Sequence, residues 1–197
     1  LRAELTLIKS QTRNPFNVNF FCHRQPQANA EREQKWLDIL EPYFEEFGLS
    51  SADITKGVGR EPFGEETAEI LAEFKPSIVS FHFGLPSSSL LSRVREWDAT
   101  ILASATTIEE AEWLEGNGAD AVIAQGIEAG GHRGMFLSDD LSTQMERFAL
   151  VTRLIKQVKL PVIAAGGISS AKEVEDAISM GASAVQLGTA YLLCPET

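Results

Sequence analysis

Apolar residues fall along this chain in two rhythms: short unbroken runs, and longer stretches in which they recur every third or fourth position. The first rhythm predicts buried strands, over residues 17–21, 78–83, 100–104, 121–124, 162–165 and 184–187. The second predicts helices over 1–10, 30–47, 67–74, 88–97, 108–116 and 145–158, and from Ser170 to Met180. From residue 67 onward the two alternate regularly, which is the pattern of βα units around a parallel sheet. Each strand reads as apolar enough to be covered on both faces, as parallel strands are. Asn14-Pro15 breaks the first helix, Gly48 stops the second, and Pro42 is a local complication inside it. The polar, Gly-rich stretch 50–64 reads as an excursion with no assignable role.

An internal repeat sharpens the fold. Gly118-Ala119-Asp120-Ala121-Val122 recurs 63 residues later as Gly181-Ala182-Ser183-Ala184-Val185. Thr107 with Glu110, and Ser170 with Glu173, keep the same offset and both have capping-box spacing. Two βα units of about 31 residues each are what a (β/α)₈ barrel of equivalent units would show. Such a barrel has eight strands in roughly 250 residues, and this pattern supplies six. The expectation is a TIM barrel present as about six βα units with its first two strands missing, and residues 1–197 forming one partial domain. Leu1 also opens a helix with no capping residue ahead of it, as if the start were cut. A longer parent chain, a natural truncation, or closure of the open sheet edge against a partner, with a homo-oligomer as one form of that, would each complete the picture.

Charge and cysteine usage narrow the class. The formal net charge of −11 excludes a nucleic-acid partner or an anionic membrane surface, both of which need a positive face. Cys22 and Cys194 are isolated, with neither metal-ligand spacing nor a disulfide framework, which fits a reducing cytoplasm. The first residues carry Arg2, Glu4, Lys9 and Arg13 and hold no apolar run suited to a signal peptide or a membrane span. No His, Cys or carboxylate cluster has metal spacing, and neither a GxSxG element nor a Walker-type loop occurs.

The chemistry concentrates in Ala121 to Gly134, where an apolar run ends in Gln125-Gly126 and the chain opens into Gly130-Gly131-His132-Arg133-Gly134. A rigid strand ending in glycines lets backbone approach a bound group, and the loop brings an imidazole over it. Gly166-Gly167 and Gly188-Thr189, after the next two strands, form a candidate phosphate site. Glycine turns and a helix start point N–H groups at an anion, the Thr hydroxyl adds a donor, and barrels place such sites after their last two strands. Among the other polar groups, Glu128 is a cap for the loop or a weaker candidate base. His82 alternates with Phe81 and Phe83, so it points inward, more as a packed, hydrogen-bonded side chain than as a catalyst. His23 sits in a polar loop and is expected in solvent.

The runs 124–134 (AQGIEAGGHRG), 161–168 (PVIAAGGI) and 185–190 (VQLGTA) together resemble nitronate monooxygenase of the class I type, formerly 2-nitropropane dioxygenase. The likeness extends from Asn14 onward, and the EAGGH loop is shared with flavin-dependent enoyl-ACP reductases. The resemblance implies an FMN-dependent TIM barrel, a flavoprotein that oxidises alkyl nitronates with molecular oxygen to carbonyl compounds and nitrite. It assigns His132 as the base or hydrogen-bonding group toward substrate. It assigns FMN contacts to Asn19, Gln125, Gly130, Gly166, Gly167, Gln186, Leu187, Gly188 and Thr189, with the Gly-Gly turn and the last of these holding the phosphate. The alternatives are an FMN-dependent enoyl-ACP reductase and a non-catalytic truncated barrel that binds flavin or phosphate.

Overall fold

The computed structural model describes residues 1–54 and 59–195. It divides into two compact units, residues 1–23 with 62–195 forming the larger and Arg24–Glu61 the smaller. Part of the excursion 50–64 lies outside the described residues.

The larger unit is built on a six-stranded parallel sheet in sequential order. Its strands are β1 (Asn17–Phe21), β2 (Ile78–His82), β3 (Thr100–Ala105), β4 (Ala121–Gln125), β5 (Val162–Ala165) and β6 (Ala184–Gln186). Helix α1 (Arg2–Gln11) precedes β1, and α2 (Ala30–Glu46) belongs to the smaller unit. Helices α3 (Glu65–Phe74), α4 (Ser88–Arg95), α5 (Ile108–Gly116), α6 (Arg147–Gln157) and α7 (Ala171–Ser179) connect the remaining strands. These are six of the eight βα units of a TIM barrel, as the repeat predicted. Among the described residues no helix is long and apolar enough to cross a membrane.

The expectation of burial on both faces holds in the middle of the sheet, where Ala121 and Ile123 of β4 are buried opposite Val122 and Ala124, and fails at β1 and β6, which stay partly exposed. Because side chains alternate along a strand, Val79, Phe81, Ile101, Ala103, Ala105, Val122, Ala124, Val162 and Ala164 all point one way and are buried beneath the helices. Leu71, Val94, Leu114, Leu150 and Leu154 meet them from α3, α4, α5 and α6. The other face mixes the polar Asn17, Asn19, Ser80, His82, Ser104, Gln125 and Gln186 with the apolar Phe21, Ile123 and Ala165. The hydrophobic driving force therefore acts on the outer face, and the inner face is left for chemistry.

The two capping boxes differ. Ser170 and Glu173 form the full reciprocal box at the start of α7. Thr107 accepts from the Glu110 N–H, 3.3 Å away, but Glu110 does not return to the Thr107 N–H. In the smaller unit, α2 begins at Asn29, whose side chain accepts from the Arg32 N–H, and none of its residues is buried. Trp36, Ile39, Tyr43 and Phe47 are exposed.

Candidate functional site

Two cavities open at the carboxyl ends of the strands and share Gln125, Gly131, Ala165 and Gln186 as a common wall. The first, about 440 Å³, lies over the polar inner face and is lined by Asn19, His82, Gln125, His132, Gln186 and Leu187 among others. The second, about 550 Å³, is lined by Gly130, Gly166, Gly167, Gly188 and Thr189. Every candidate residue from the sequence thus lines one cavity or both. Volumes in this range suit a cofactor-sized molecule.

The His132 loop is clamped from below. Gln125 spends both ends of its amide on it: Nε2 donates to the His132 carbonyl at 2.8 Å, and Oε1 accepts from the Gly134 N–H at 2.7 Å. His82 reaches the same His132 carbonyl through Nε2 at 3.1 Å and Ser104 Oγ through Nδ1 at 2.9 Å. A carbonyl only accepts, so the neutral His82 carries its proton on Nε2 and accepts at Nδ1 from the Ser104 hydroxyl. Burial pushes the His82 pKa below its ordinary 6.5, against the His132 carbonyl bond, so the neutral ring is favoured. A β-carbon at Gly134 would stand 2.6 Å from His82 Cε1, so only glycine lets the loop come this close.

The His132 ring itself projects to the cavity against aromatic faces. It meets Phe21 edge-on at 5.2 Å and Phe83 at 6.2 Å between centroids. Phe83 also packs on His82 at 4.6 Å, and it holds a left-handed backbone with φ 67°, an unusual state for a bulky residue. The strand predicted to reach Phe83 ends at His82 for that reason. His23, expected in solvent, is half-buried with its ring edge-on to Phe21 and Phe83.

A second clamp comes from Glu110, which the sequence marked only as a cap. Its side chain is 1% exposed. Oε2 accepts from the Thr106 N–H at 2.7 Å and the Thr106 hydroxyl at 2.8 Å, while Oε1 accepts from the N–H groups of Phe136 at 2.6 Å and Leu137 at 3.2 Å. Among the described residues no cation pairs with it; four N–H and O–H donors and the start of α5 surround the carboxylate. Gln144 extends the network to the Thr106 hydroxyl at 2.8 Å. The only signal in the sequence is the hydroxyl and carboxylate spacing, which does not say where the carboxylate turns.

The second cavity has the chemistry of an anion cradle. Gly166 and Gly167 turn with φ 106° and 64°, a path only glycine follows without strain. Among the described residues, no hydrogen bond engages the N–H groups of Gly167, Gly188 or Thr189, nor the Thr189 hydroxyl. The start of α7 contributes less than expected, because Glu173 and Ser170 already occupy the N–H groups of Ser169, Ser170 and Glu173. Glu128, expected as a cap for its own loop, instead accepts from the Arg147 N–H at the start of α6, 2.9 Å away. The buried Arg147 side chain donates to the Gly166 carbonyl, bringing a cation behind the turn. Donors free of acceptors, glycine-lined, beside a guanidinium, fit a phosphate group. The amide and imidazole groups of the adjoining cavity fit a polar planar ring.

The sequence profile of the nitronate monooxygenase family matches residues 1–197. The chain belongs to the nitronate monooxygenase family. Nitronate monooxygenases of Paraburkholderia phytofirmans and Pseudomonas aeruginosa are each 45% identical to it, over 96% and 100% of the chain respectively. The chain spans about half the length of these curated relatives, 52% and 56%. The crystal structure of a nitroalkane oxidase from Streptomyces ansochromogenes superimposes with a TM-score of 0.83 at 34% identity, over 96% of this chain and 54% of that one. The nitronate monooxygenase likeness therefore extends beyond the glycine motifs to the whole backbone that carries them.

Proposed function

We propose that this chain forms the flavin-binding part of an FMN-dependent oxidoreductase that oxidises alkyl nitronates with molecular oxygen to carbonyl compounds and nitrite. The observation that carries the reading is the joining of the two cavities: an anion cradle at β5 and β6 runs, through the shared wall of Gln125, Ala165 and Gln186, into a polar chamber beneath His132. Gly166, Gly167, Gly188 and Thr189 would hold the phosphate, with Gly130 closing over it. Asn19, Gln186 and Leu187 would line the ring, and Gln125 would both line it and hold the loop. FMN, when bound, supplies the two-electron redox chemistry that links a nitronate to oxygen. His132 supplies a hydrogen bond or a base at the substrate, and the backbone anchors on its carbonyl keep the imidazole in reach. Phe21 and Phe83 exclude water on the side facing His132.

Purified protein should carry the yellow flavin spectrum and consume oxygen when a nitronate is added, and His132→Ala should retain the spectrum while oxygen uptake falls. Unchanged uptake in that variant would remove His132 from the chemistry. Consumption of NAD(P)H with an enoyl thioester, and none of oxygen with nitronate, would assign enoyl-ACP reductase chemistry instead. Failure to take up FMN would leave a non-catalytic barrel.

A further inference from the structure

We propose that Ser80 holds Asn17 and Asn19 with opposite ends of their amides toward the chamber, so that the β1 wall selects a planar heterocycle whose edge carries an N–H donor beside a carbonyl acceptor. This rests on the flavin reading above and adds to it the edge of the ring that is recognised and the residue that enforces it.

The three side chains form a relay. Asn17 Nδ2 donates to Ser80 Oγ at 2.8 Å, and Ser80 Oγ donates to Asn19 Oδ1 at 2.8 Å. Asn19 and Ser80 are paired across β1 and β2, and Asn17 lies two positions back on the same face. A hydroxyl has one proton, so the two amides flanking it cannot be alike: one gives an N–H and the other accepts. Ser80 is 2% exposed, which keeps water from substituting for either partner. What remains is opposite on the two residues, a carbonyl oxygen on Asn17 and an N–H₂ on Asn19. Both residues line the first cavity. Without the hydroxyl, the two amides could rotate independently and present like ends.

Gln125, on the opposite wall, has committed both ends of its amide to the His132 loop. Strand β1 also lies at the far edge of the sheet from β5 and β6, where the anion cradle is. A flavin with its phosphate in that cradle has a dimethylated apolar end and an imide end with N–H between two carbonyls. The imide is the end that an Asn carbonyl and an Asn N–H₂ complement.

The test is a fluorescence-quenching titration with FMN and with FMN methylated at ring nitrogen 3, which keeps the phosphate and the redox ring but loses the imide N–H. The unaltered protein should bind FMN about tenfold more tightly than the methylated form. Ser80→Ala should weaken FMN binding about fivefold and shrink the discrimination to about twofold, whereas Ser80→Thr, which keeps the hydroxyl, should hold both near the unaltered values. Asn17→Ala, at an exposed position on an edge strand, should also lose the discrimination, and it serves as the readout should both Ser80 variants fail to fold. Equal affinity of the unaltered protein for the two flavins, or full discrimination in Ser80→Ala or Asn17→Ala, would overturn the proposal while leaving the flavin reading intact. No uptake of either flavin by the unaltered protein would overturn both.

Discussion

Glu110 and Glu173 occupy the same third position in repeat-related helices, each behind a hydroxyl N-cap, yet they do different work. Both accept from the residue ahead of the cap, Thr106 in one case and Ser169 in the other. Glu173 then turns back to the Ser170 N–H and completes a local box in solvent. Glu110 turns outward, and its second oxygen takes the N–H groups of Phe136 and Leu137 from the long segment that carries His132. A repeated unit thus supplies two equal helix starts, and the site is built where one carboxylate is redirected to a distant segment. The redirection requires burial, because only a desolvated carboxylate loses enough from an unmade bond to fix a loop.

The contrast breaks most readily at Glu110. Glu110→Ala leaves four donors without an acceptor and should cost about 3–5 kcal/mol in urea unfolding, whereas Glu173→Ala should shift the midpoint only slightly. Comparable losses at the two positions would mean that Glu110 is another helix cap and nothing more. Next in size, Gln125→Met should cost about 1–3 kcal/mol by freeing the Gly134 N–H. Hydrogen exchange at that amide should accelerate while the helices of the outer layer stay protected; uniform acceleration would deny the amide a specific hold on the loop. The N-caps should behave alike, Thr107→Ala and Ser170→Ala each losing about 1 kcal/mol, since the asymmetry lies in the carboxylates and not in the hydroxyls.

The smallest effect is in pH. Hydrogen bonds from the Ser169 N–H and the Ser170 hydroxyl bring the Glu173 pKa from the ordinary 4.5 down to about 2. Its contribution is therefore complete above about 4.5 and is lost as the pH falls toward 2. Unfolding midpoints followed over that window should slope less in Glu173→Gln than in the unaltered protein. The lowered His82 pKa has the same sign: the unfolded chain takes up that proton first as the pH falls through 6.5, so acid weakens the folded state through burial of the charged ring, although Nε2–H still donates to the His132 carbonyl.

Element order was legible because strand and helix periods are strong signals, and the repeat identified the barrel before any geometry was available. The sidedness of the strands was not. Ser80, Ser104 and Gln125 lie in or at the end of runs otherwise apolar, and a single hydroxyl or amide does not announce that it faces a chamber while its neighbours face the helices. The motif residues of the site were legible as glycines, a histidine and a threonine at strand ends. Their supports were not, since Glu110 and Glu173 have the same spacing and differ only in which N–H groups tertiary structure brings near. His23 shows the same limit: its polar neighbours in sequence suggest solvent, and two aromatic rings from other positions decide otherwise. The apolar rhythm of α2 was likewise readable without indicating that Trp36 and Phe47 stay exposed.

The left-handed backbone at Phe83 sets stability and chemistry against each other at one residue. Glycine there would relieve about 1 kcal/mol of backbone strain, but it would delete the ring that stands against both His82 and His132. The strained backbone and the ring that bridges the two histidines are thus one and the same residue.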